Sequence, residues 1–263
     1  MEASHHSKGW AVVTGASSGI GLAFAHELAR RGYPVLAVAR RRERLDELVR
    51  QANQQRWRVE ALTSDLQTSE GVSAVVQRVA ELGEVELLIN NAGFGTWGAF
   101  VDLPLERELG LVRLNVVTVV ELTRRLLPGL IKQGRGGVIN LASEQAFQPV
   151  PYFASYAASK AFVLSFSEAI AYELKNSGVR VCVICPGPVK TEFAEVTRAH
   201  AFQNAIPNLT ADEVVKASLN AYERGQVVEV VGWINRFFSM MPRFLPRATM
   251  RAMMASFTRP KSA

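Results

Sequence analysis

A tyrosine and a lysine four residues apart are the side chains in the sequence that most clearly suit proton transfer. The segment Tyr156-Ala157-Ala158-Ser159-Lys160 lies near the start of a predicted helix, and residues four apart share one helix face. A free phenol titrates at a pH of about 10, and a nearby ammonium group lowers that value. Such a tyrosine exchanges a proton with an alkoxide or an alcohol. The spacing alone is common, and by itself it is more typical of a surface pair.

A glycine-rich turn follows the first predicted strand and leads into a helix. Glycine allows a tight turn and close backbone approach to a ligand, and a helix N-terminus offers free N–H groups to a pyrophosphate. The spacing is G-x-x-x-G-x-G, and a plain strand-to-helix turn is the alternative. The position after the first strand favours phosphate binding. The candidate contacts are Gly15, Ser17, Ser18, Gly19, Ile20 and Gly21.

Arginines follow the second predicted strand, where a carboxylate would hold the ribose hydroxyls of NAD. Arg40 instead suits the 2′-phosphate of NADP. We interpret Arg42 and Arg44 as a solvated first turn of the next helix. The sequence therefore predicts NADP(H) in preference to NAD(H).

Short apolar segments alternate with longer helical patterns along the chain. The apolar segments are rich in Val and Ile, which is typical of strands buried on both faces. They are Ala11–Val13, Val35–Ala39, Val59–Leu62, Leu87–Ile89, Val138–Leu141, Val179–Ile184 and Val227–Val231. The helical patterns are Gly19–Arg31, Arg41–Gln54, Ser69–Glu81, Leu105–Lys132, Ala154–Asn176 and Ala211–Arg224. This alternation predicts an α/β fold: a Rossmann-type doubly wound parallel sheet with helices on both faces.

Length and composition fit one large domain with an extension. The chain has 263 residues, 48% of them apolar and 21% charged, which excludes disorder as the main state. Cys182 and Cys185 lie in one predicted strand on opposite faces, too far apart for a disulfide or a shared metal. We predict a dinucleotide-binding and catalytic domain over residues 1–231, a C-terminal extension over 232–263, and no metal site.

The net charge of +6 is confined to the extension. Residues 1–231 carry 24 basic and 24 acidic residues, whereas the extension has six basic residues and no acid. The six are Arg236, Arg243, Arg247, Arg251, Arg259 and Lys261. A neutral folded part argues against nucleic-acid binding. The opening MEASHHSKGW lacks the apolar core of a signal peptide, so we expect a cytoplasmic location.

Several motifs occur together in one order and spacing. They are the loop Thr14–Gly21, Asn90-Asn91-Ala92-Gly93, Ser143, Tyr156-x-x-x-Lys160 and Pro186-Gly187. Over roughly residues 8–231 the chain resembles the short-chain dehydrogenase/reductase family. The resemblance implies an oxidoreductase that interconverts a carbonyl and an alcohol, with hydride transfer as the chemistry of the cofactor.

The resemblance also implies four catalytic residues. Tyr156 matches the general acid/base, and Lys160 matches the residue that lowers the tyrosine pKa and holds the nicotinamide ribose. Ser143 matches the hydroxyl that polarises the substrate carbonyl, and Asn115 matches the asparagine that supports a water-linked proton relay. The alternative is a regulatory or scaffold protein that binds NADP(H) without turnover, and these four residues argue against it.

Further cofactor contacts are implied at the strand ends. They are Asp65 at the adenine ring, the turn Asn91, Ala92 and Gly93 beside the adenine ribose, and Pro186, Gly187 and Thr191 at the nicotinamide carboxamide. Many NADP-using members carry a basic residue just before the middle glycine of the loop, where this chain has Ser18. The predicted NADP(H) preference therefore depends on Arg40, with Arg41 and Ser17 in support.

The substrate side of the predicted site is apolar, which suits a hydrophobic carbonyl or alcohol better than a sugar. The expected side chains are Phe94, Trp97, Phe147, Val150, Tyr152, Phe153 and Phe193; that half of them pack inward is the alternative. The segment Val189–Asn208, which contains Phe193 and Phe202, is the predicted lid.

Two assignments stay open at this point. In the family, the helices equivalent to 105–132 and 154–176 pair across a subunit interface. We therefore expect a homodimer or homotetramer, with burial inside one subunit as the alternative. The extension has apolar residues at 250, 253, 254 and 257, at helical spacing after Pro242 and Pro246. It covers the pocket or a neighbouring subunit, contacts an anionic membrane peripherally, or forms a mobile end.

Overall fold

A computed structural model of the chain describes residues 8–193, residue 197 and residues 208–260. At its centre lies a seven-stranded sheet in the order β3-β2-β1-β4-β5-β6-β7, and every neighbouring pair is parallel. The strands are β1 (Trp10–Thr14), β2 (Val35–Ala39), β3 (Val59–Thr63), β4 (Val85–Asn90), β5 (Gly137–Leu141), β6 (Arg180–Pro186) and β7 (Val228–Val231). Each predicted apolar segment corresponds to one strand, so the predicted α/β fold is confirmed.

Helices cover both faces of this sheet. They are α1 (Gly19–Arg30), α2 (Arg42–Gln54), α3 (Ser69–Leu82), α4 (Leu105–Val112), α5 (Thr118–Gln133), α6 (Ala154–Glu173), α7 (Ala211–Glu223), α8 (Trp233–Met240) and α9 (Arg247–Thr258). Alternate side chains of β1 divide the core, because successive strand residues point to opposite faces. Ala11 and Val13 belong to a cluster with Phe24 of α1, whereas Val12 belongs to a cluster with Leu122 of α5.

The predicted helix 105–132 differs from the structure at its middle. A π-helical turn, Arg113–Val117, separates α4 from α5, and such turns are frequent at functional sites. The buried Asn115 lies in this turn, and its Nδ2 donates to the Phe94 carbonyl oxygen at 3.0 Å. Apolar periodicity does not reveal the turn, because the Asn115 contacts come from a different segment of the chain.

The strand order reverses between β1 and β4, which lie side by side at the centre of the sheet. In doubly wound sheets, ligands bind outside the carboxyl ends of the strands at this switch point. A cleft of about 410 Å³ opens there. Residues that follow β1 to β6 line this cleft, and therefore the fold itself gathers distant parts of the sequence into one site.

The C-terminal extension consists of α8, a short 3₁₀ turn (Met241–Arg243) and α9. Pro242 and Pro246 lie between the two helices, where the sequence predicts a break. α8 packs against β7 and touches the segment after β6: a Cβ atom added to Gly187 would lie 2.3 Å from Nδ2 of Asn235. A boundary at residue 231 stays a prediction. Within the described ranges, no helix combines the length and hydrophobicity needed to cross a membrane.

Candidate active site

The glycine-rich loop forms a tight cradle at the start of α1. Gly15 and Gly19 have φ angles of +68° and +55°, a region that L side chains rarely adopt. A Cβ atom at Gly21 would lie 2.3 Å from the Gly15 carbonyl oxygen, and one at Gly15 would lie 2.8 Å from Nδ2 of Asn91. The backbone therefore leaves no room for side chains, and the free N–H groups of α1 face the cleft.

Beside this loop, Arg41 has defined contacts on the cleft wall. Its Nε and Nη2 atoms donate to Ser17 Oγ at 3.2 and 3.1 Å, and Nη2 also donates to Ser18 Oγ at 2.6 Å. Arg40 borders the cleft and is exposed. The sequence assigns phosphate binding mainly to Arg40. In the structure, Arg41 has the better defined position for that role.

An anionic group of the chain already sits against these arginines. Oε2 of Glu192 lies 2.7 Å from Nη1 of Arg41, and its Oε1 lies 3.4 Å from Nη2 of Arg44. The hydrogen bond from Arg41 lowers the pKa of Glu192. Arg44 is 59% exposed in the first turn of α2, as predicted, and also pairs loosely with Glu192, whereas Arg42 pairs with Asp46 on α2, at 3.7 Å. Guanidinium and hydroxyl donors that hold a carboxylate suit a phosphate equally well.

Most of the predicted cofactor residues border the same cleft. Those that do are Gly15, Ser17, Ser18, Gly19, Ile20, Arg40, Asp65, Asn91, Ala92, Gly93, Tyr156, Lys160, Pro186, Gly187 and Thr191. Gly21 lies behind the loop. Asn91 also has a structural role, since its Nδ2 donates to the Thr14 carbonyl oxygen at 2.9 Å and ties β4 to β1. The glycine cradle, the arginines and this lining fit a dinucleotide.

The residues predicted to be catalytic meet at one end of the cleft. Tyr156 and Lys160 lie on one side of α6, and Ser143 lies two residues after the end of β5. The Ser143 hydroxyl interacts with the Tyr156 phenol and lowers its pKa. Nζ of Lys160 donates to the Leu141 carbonyl oxygen at 2.6 Å and lies 5.8 Å from the centre of the Tyr156 ring. All three of these side chains are buried.

Asn115 lies next to this group without lining the cleft. Its Nδ2 donates to Ser159 Oγ at 3.1 Å, and its Oδ1 accepts from the Phe94 N–H at 3.2 Å. A Cβ atom at Gly93 would lie 2.9 Å from Oδ1 of Asn115 and 3.6 Å from Nζ of Lys160. The π-helical turn thus brings the Asn115 amide and the Lys160 ammonium together around Gly93.

The surroundings of Tyr156 and Lys160 shift the pKa values of both side chains. Burial raises the pKa of Tyr156, the charge of Glu144 raises it further, and the Ser143 hydrogen bond opposes both. Burial also lowers the pKa of Lys160 to about 8. The surroundings of Tyr156 thus favour its protonated form, and the lowering of the tyrosine pKa by Lys160 stays a prediction.

Glu144 is a site residue that the sequence reasoning missed. It borders the cleft, and its Oε2 lies 3.5 Å from Ser143 Oγ. Burial raises the pKa of Glu144 to about 7. An acidic residue directly after the serine was the available signal, but its burial depends on the packing of the short turn Glu144–Phe147.

Aromatic side chains surround the catalytic end of the cleft. Phe94, Phe153 and Phe193 line it, and the Phe193 ring centre lies 5.3 Å from that of Tyr156. Val150 and Trp97 contribute to the apolar cluster behind Tyr156. The expectation for Phe147 is wrong, because it packs instead in a separate cluster with residues of α6 and β6. Phe202 of the predicted lid lies outside the described residues.

Helix α9 reaches the substrate side of this cluster. Trp97 Nε1 donates to the Thr258 carbonyl oxygen at 2.8 Å, and Arg259 Nε donates to the Tyr152 hydroxyl at 3.2 Å. Met254 packs against the cluster that contains Tyr156. These contacts favour the interpretation of the extension as a cover. In β6, Cys182 and Cys185 are both free and buried.

A parallel sheet with a glycine cradle and a buried Ser–Tyr–Lys group at its switch point is typical of dinucleotide-dependent oxidoreductases. The family model described as short chain dehydrogenase matches residues 9–201. The chain belongs to the short-chain dehydrogenase/reductase family and is an NAD(P)-dependent oxidoreductase.

Relatives in two collections of proteins agree with this assignment. A very-long-chain 3-oxoacyl-CoA reductase from Anas platyrhynchos is 31% identical over 241 residues, which is 89% of this chain and 76% of that protein. A putative ketoacyl reductase from Streptomyces coelicolor is 36% identical over 193 residues, 72% of this chain and 74% of that protein. A solved short-chain dehydrogenase from Sphingobium yanoikuyae in complex with NADPH has a TM-score of 0.81 and 30% identity, covering 97% of this chain and 98% of that chain.

Proposed function

We propose that the chain is an NADP(H)-dependent reductase of hydrophobic carbonyl compounds, with Tyr156 as the proton donor. The observation that carries the proposal is the meeting of three features at one end of the cleft. These are the Tyr156 phenol, the adjacent Ser143 hydroxyl and the aromatic side chains that line the cleft. The first two supply donors for an oxygen, and the third supplies an apolar surface for the remainder of a substrate.

Carbonyl reduction needs a proton donor, and the Tyr156 phenol can supply that proton. At neutral pH the phenol is protonated and therefore acts as an acid rather than a base. When bound, the reduced nicotinamide supplies a hydride to the carbonyl carbon. Ser143 and Tyr156 bind the carbonyl oxygen and stabilise the negative charge that develops on it. Tyr156 then donates its proton to that oxygen.

Lys160 and Asn115 assist this step without contacting the carbonyl oxygen. We assign Lys160 to a hydroxyl group of the nicotinamide ribose, since its Nζ is fixed by the Leu141 carbonyl oxygen and is near the Tyr156 ring. Asn115 acts as a positioning residue, because its amide is locked between Phe94 and Ser159 next to Lys160. The same chain of polar groups offers a path for a proton to return to Tyr156.

The phosphate end of the cleft supports a preference for NADP(H). We assign the pyrophosphate to the loop 15–21 and the 2′-phosphate to Arg41, Ser17 and Ser18, with Arg40 beside them. The carboxylate of Glu192 already makes an ion pair with Arg41, which supports anion binding at this position. The solved relative from Sphingobium yanoikuyae contains NADPH by its description. Asp65, Asn91, Ala92, Gly93, Pro186, Gly187 and Thr191 are assigned to the adenosine and nicotinamide moieties.

The substrate class that the cleft favours is a bulky or long-chain ketone. Phe94, Phe153 and Phe193 line the cleft, and Met254 of α9 joins the apolar cluster behind it. Named relatives include reductases of very-long-chain 3-oxoacyl-CoA and of ketoacyl groups. We therefore place 3-oxoacyl thioesters and bulky aryl ketones first among candidate substrates.

A homo-oligomer is the expected assembly. Leu105, Leu109 and Val112 lie on one side of α4 and are exposed, and an exposed apolar stripe of this kind marks a protein interface. Light scattering after size exclusion tests this directly. Leu109→Lys should reduce the molecular mass to that of a monomer, whereas Val101→Lys, on an exposed side chain outside the stripe, should not. A monomeric wild-type protein would contradict the expectation.

The function is tested by following the loss of NADPH absorbance with a panel of 3-oxoacyl thioesters, aryl ketones and simple sugars. We expect turnover of the hydrophobic ketones, a much lower kcat/KM with NADH, and no turnover of the sugars. Tyr156→Phe should bind NADPH normally and lose turnover, whereas Tyr172→Phe, at an exposed tyrosine of α6, should resemble the wild type. Failure of every carbonyl in the panel, despite tight NADPH binding, would contradict the proposal.

A further inference from the structure

Helix α8 is packed with its polar side inward. Asn235 and Ser239 are buried, whereas Trp233 and Phe237 are exposed at 81% and 66%. This pattern is the reverse of an ordinary surface helix, whose apolar stripe faces the core. Asn235 explains the inner side: its Nδ2 donates to the Val231 carbonyl oxygen at 2.8 Å, and its side chain abuts Gly187. With Asn235 and Ser239 turned inward, the helix presents its apolar side to the outside.

The exposed apolar side chains of the extension form a patch. Trp233, Phe237 and Met240 are spaced by four and three residues and therefore lie on one side of α8. Phe244, which is 77% exposed, follows just after the 3₁₀ turn. We call these four side chains the outer apolar face. Exposed patches of large apolar side chains mark surfaces that bind a partner or a membrane.

The charged side chains of the extension have one sign. Arg236, Arg243, Arg247 and Arg251 are all exposed, and the last acidic residue of the whole sequence is Glu229. Arg247 and Arg251 lie four residues apart and share a side of α9. A loose ion pair joins Arg236 to Glu229 at 3.7 Å. The extension is thus both apolar and positively charged on its surface.

We propose that the outer apolar face and these arginines bind an anionic lipid surface, with α8 lying in the interface. A lipid surface supplies hydrocarbon for Trp233 and Phe237 and negatively charged headgroups for the arginines. A second copy of the chain fits less well, because a two-fold contact through this face would bring the same arginines against each other. The proposal is independent of the substrate, since it concerns only the outside of the extension.

Sedimentation of the full-length protein with vesicles tests the proposal. One set of vesicles contains phosphatidylcholine with about 30% phosphatidylserine, and a second set contains phosphatidylcholine alone. We expect binding to the anionic vesicles, at least about tenfold weaker binding to the neutral vesicles, and weaker binding at high salt, because salt screens the attraction.

Two variants separate the apolar and the charged contributions. Trp233→Ser/Phe237→Ser should reduce binding to anionic vesicles at least about tenfold, because it removes the buried aromatic area. Arg247→Glu/Arg251→Glu should reduce it by about fivefold or more for each residue. The matched controls are Tyr172→Ser, an exposed aromatic residue elsewhere, and Arg42→Glu/Arg50→Glu, on the exposed side of α2. Both controls should bind vesicles like the wild type. Undisturbed NADPH binding by Trp233→Ser/Phe237→Ser shows that the variant is folded.

Two results would overturn the proposal. One is a wild-type protein that stays in the supernatant with anionic vesicles, or that binds neutral and anionic vesicles equally. The other is a lower oligomer mass for Trp233→Ser/Phe237→Ser without any vesicle binding by the wild type, which would assign the face to a second copy. If the face binds a protein partner in place of lipid, the wild-type protein will likewise not sediment with the vesicles, and the proposal is overturned.

Discussion

The two ends of the cleft are held together by different kinds of contact. At the phosphate end, backbone geometry dominates: Gly15, Gly19 and Gly21 leave no space for side chains, and the loop 15–21 forms most of the cradle, with Asn91 behind it. At the substrate end, side chains from distant segments meet, as when Trp97 donates to the Thr258 carbonyl oxygen. The first end is therefore fixed by local sequence, whereas the second depends on how the extension docks.

This difference separates chemistry from specificity within one cleft. Substitutions at the phosphate end should affect every substrate equally through the cofactor, and those at the substrate end should change KM for the carbonyl compound alone. The predictions below test that separation, beginning with the largest expected effect.

Gly21→Val should abolish cofactor binding. Its Cβ would lie 2.3 Å from the Gly15 carbonyl oxygen, so the cradle itself must move. We expect the Kd for NADPH, measured by calorimetry, to rise at least about 100-fold, or ~3 kcal/mol. Gly129→Ala is the control, because Gly129 lies inside α5 with nothing within 4 Å of an added Cβ. Normal NADPH binding by Gly21→Val would contradict the role of the backbone cradle.

Trp97→Phe should act at the substrate end alone. It removes the 2.8 Å hydrogen bond to the Thr258 carbonyl oxygen and loosens α9. Steady-state kinetics should show KM for the carbonyl substrate increased by about three- to tenfold, as expected for one lost hydrogen bond, with KM for NADPH unchanged. Trp57→Phe, which lies in the packing around α1, should change neither. An equal rise in both KM values would remove the distinction between the two ends.

Glu144→Gln should stabilise the protein at high pH. The pKa of Glu144 is raised from 4.5 to about 7, so between these pH values the folded state binds a proton that the unfolded state has lost. Stability therefore falls as the pH rises through this window. Urea unfolding should show a gain of about 1 kcal/mol for the variant at pH ~8 and little at pH ~4. Glu106→Gln, on the exposed start of α4, is the control. A gain that is equal at both pH values would contradict the assigned cause.

Glu192→Gln should improve NADPH binding slightly. The substitution weakens the 2.7 Å ion pair with Arg41 and frees the guanidinium for a phosphate. Since an exposed ion pair contributes up to about 1 kcal/mol, we expect KM for NADPH to fall by up to about fivefold, with KM for NADH unchanged. Asp46→Asn, which breaks the surface pair with Arg42, should have no effect. A parallel fall in KM for NADH would show that Arg41 does not recognise the 2′-phosphate.

The phosphate end and the sheet could be predicted from the sequence, because their determinants are local. Val35–Ala39 is a strand with the predicted bounds, and the glycines of the loop have the backbone angles that their positions require. Apolar periodicity and glycine spacing report backbone geometry directly.

The environment of the catalytic residues could not be predicted in the same way. The pKa of Tyr156 responds to burial and to the charge of Glu144, and neither can be deduced from the Tyr-x-x-x-Lys spacing. The π-helical turn at Asn115 and the contacts of Arg41 with Ser17 join segments far apart in the chain. Motifs identify which residues meet, but desolvation and tertiary hydrogen bonds decide their protonation.

The central claim is that the protonated phenol of Tyr156 donates to the carbonyl oxygen. Its most direct test is a single-turnover measurement of NADPH oxidation by wild type and Tyr156→Phe, both saturated with NADPH and with a ketone turned over by the wild type. We expect Tyr156→Phe to bind NADPH with unchanged Kd and to react about 10²- to 10⁴-fold more slowly than the wild type. A variant that reacts at the wild-type rate would contradict the claim and move the proton donor to another group.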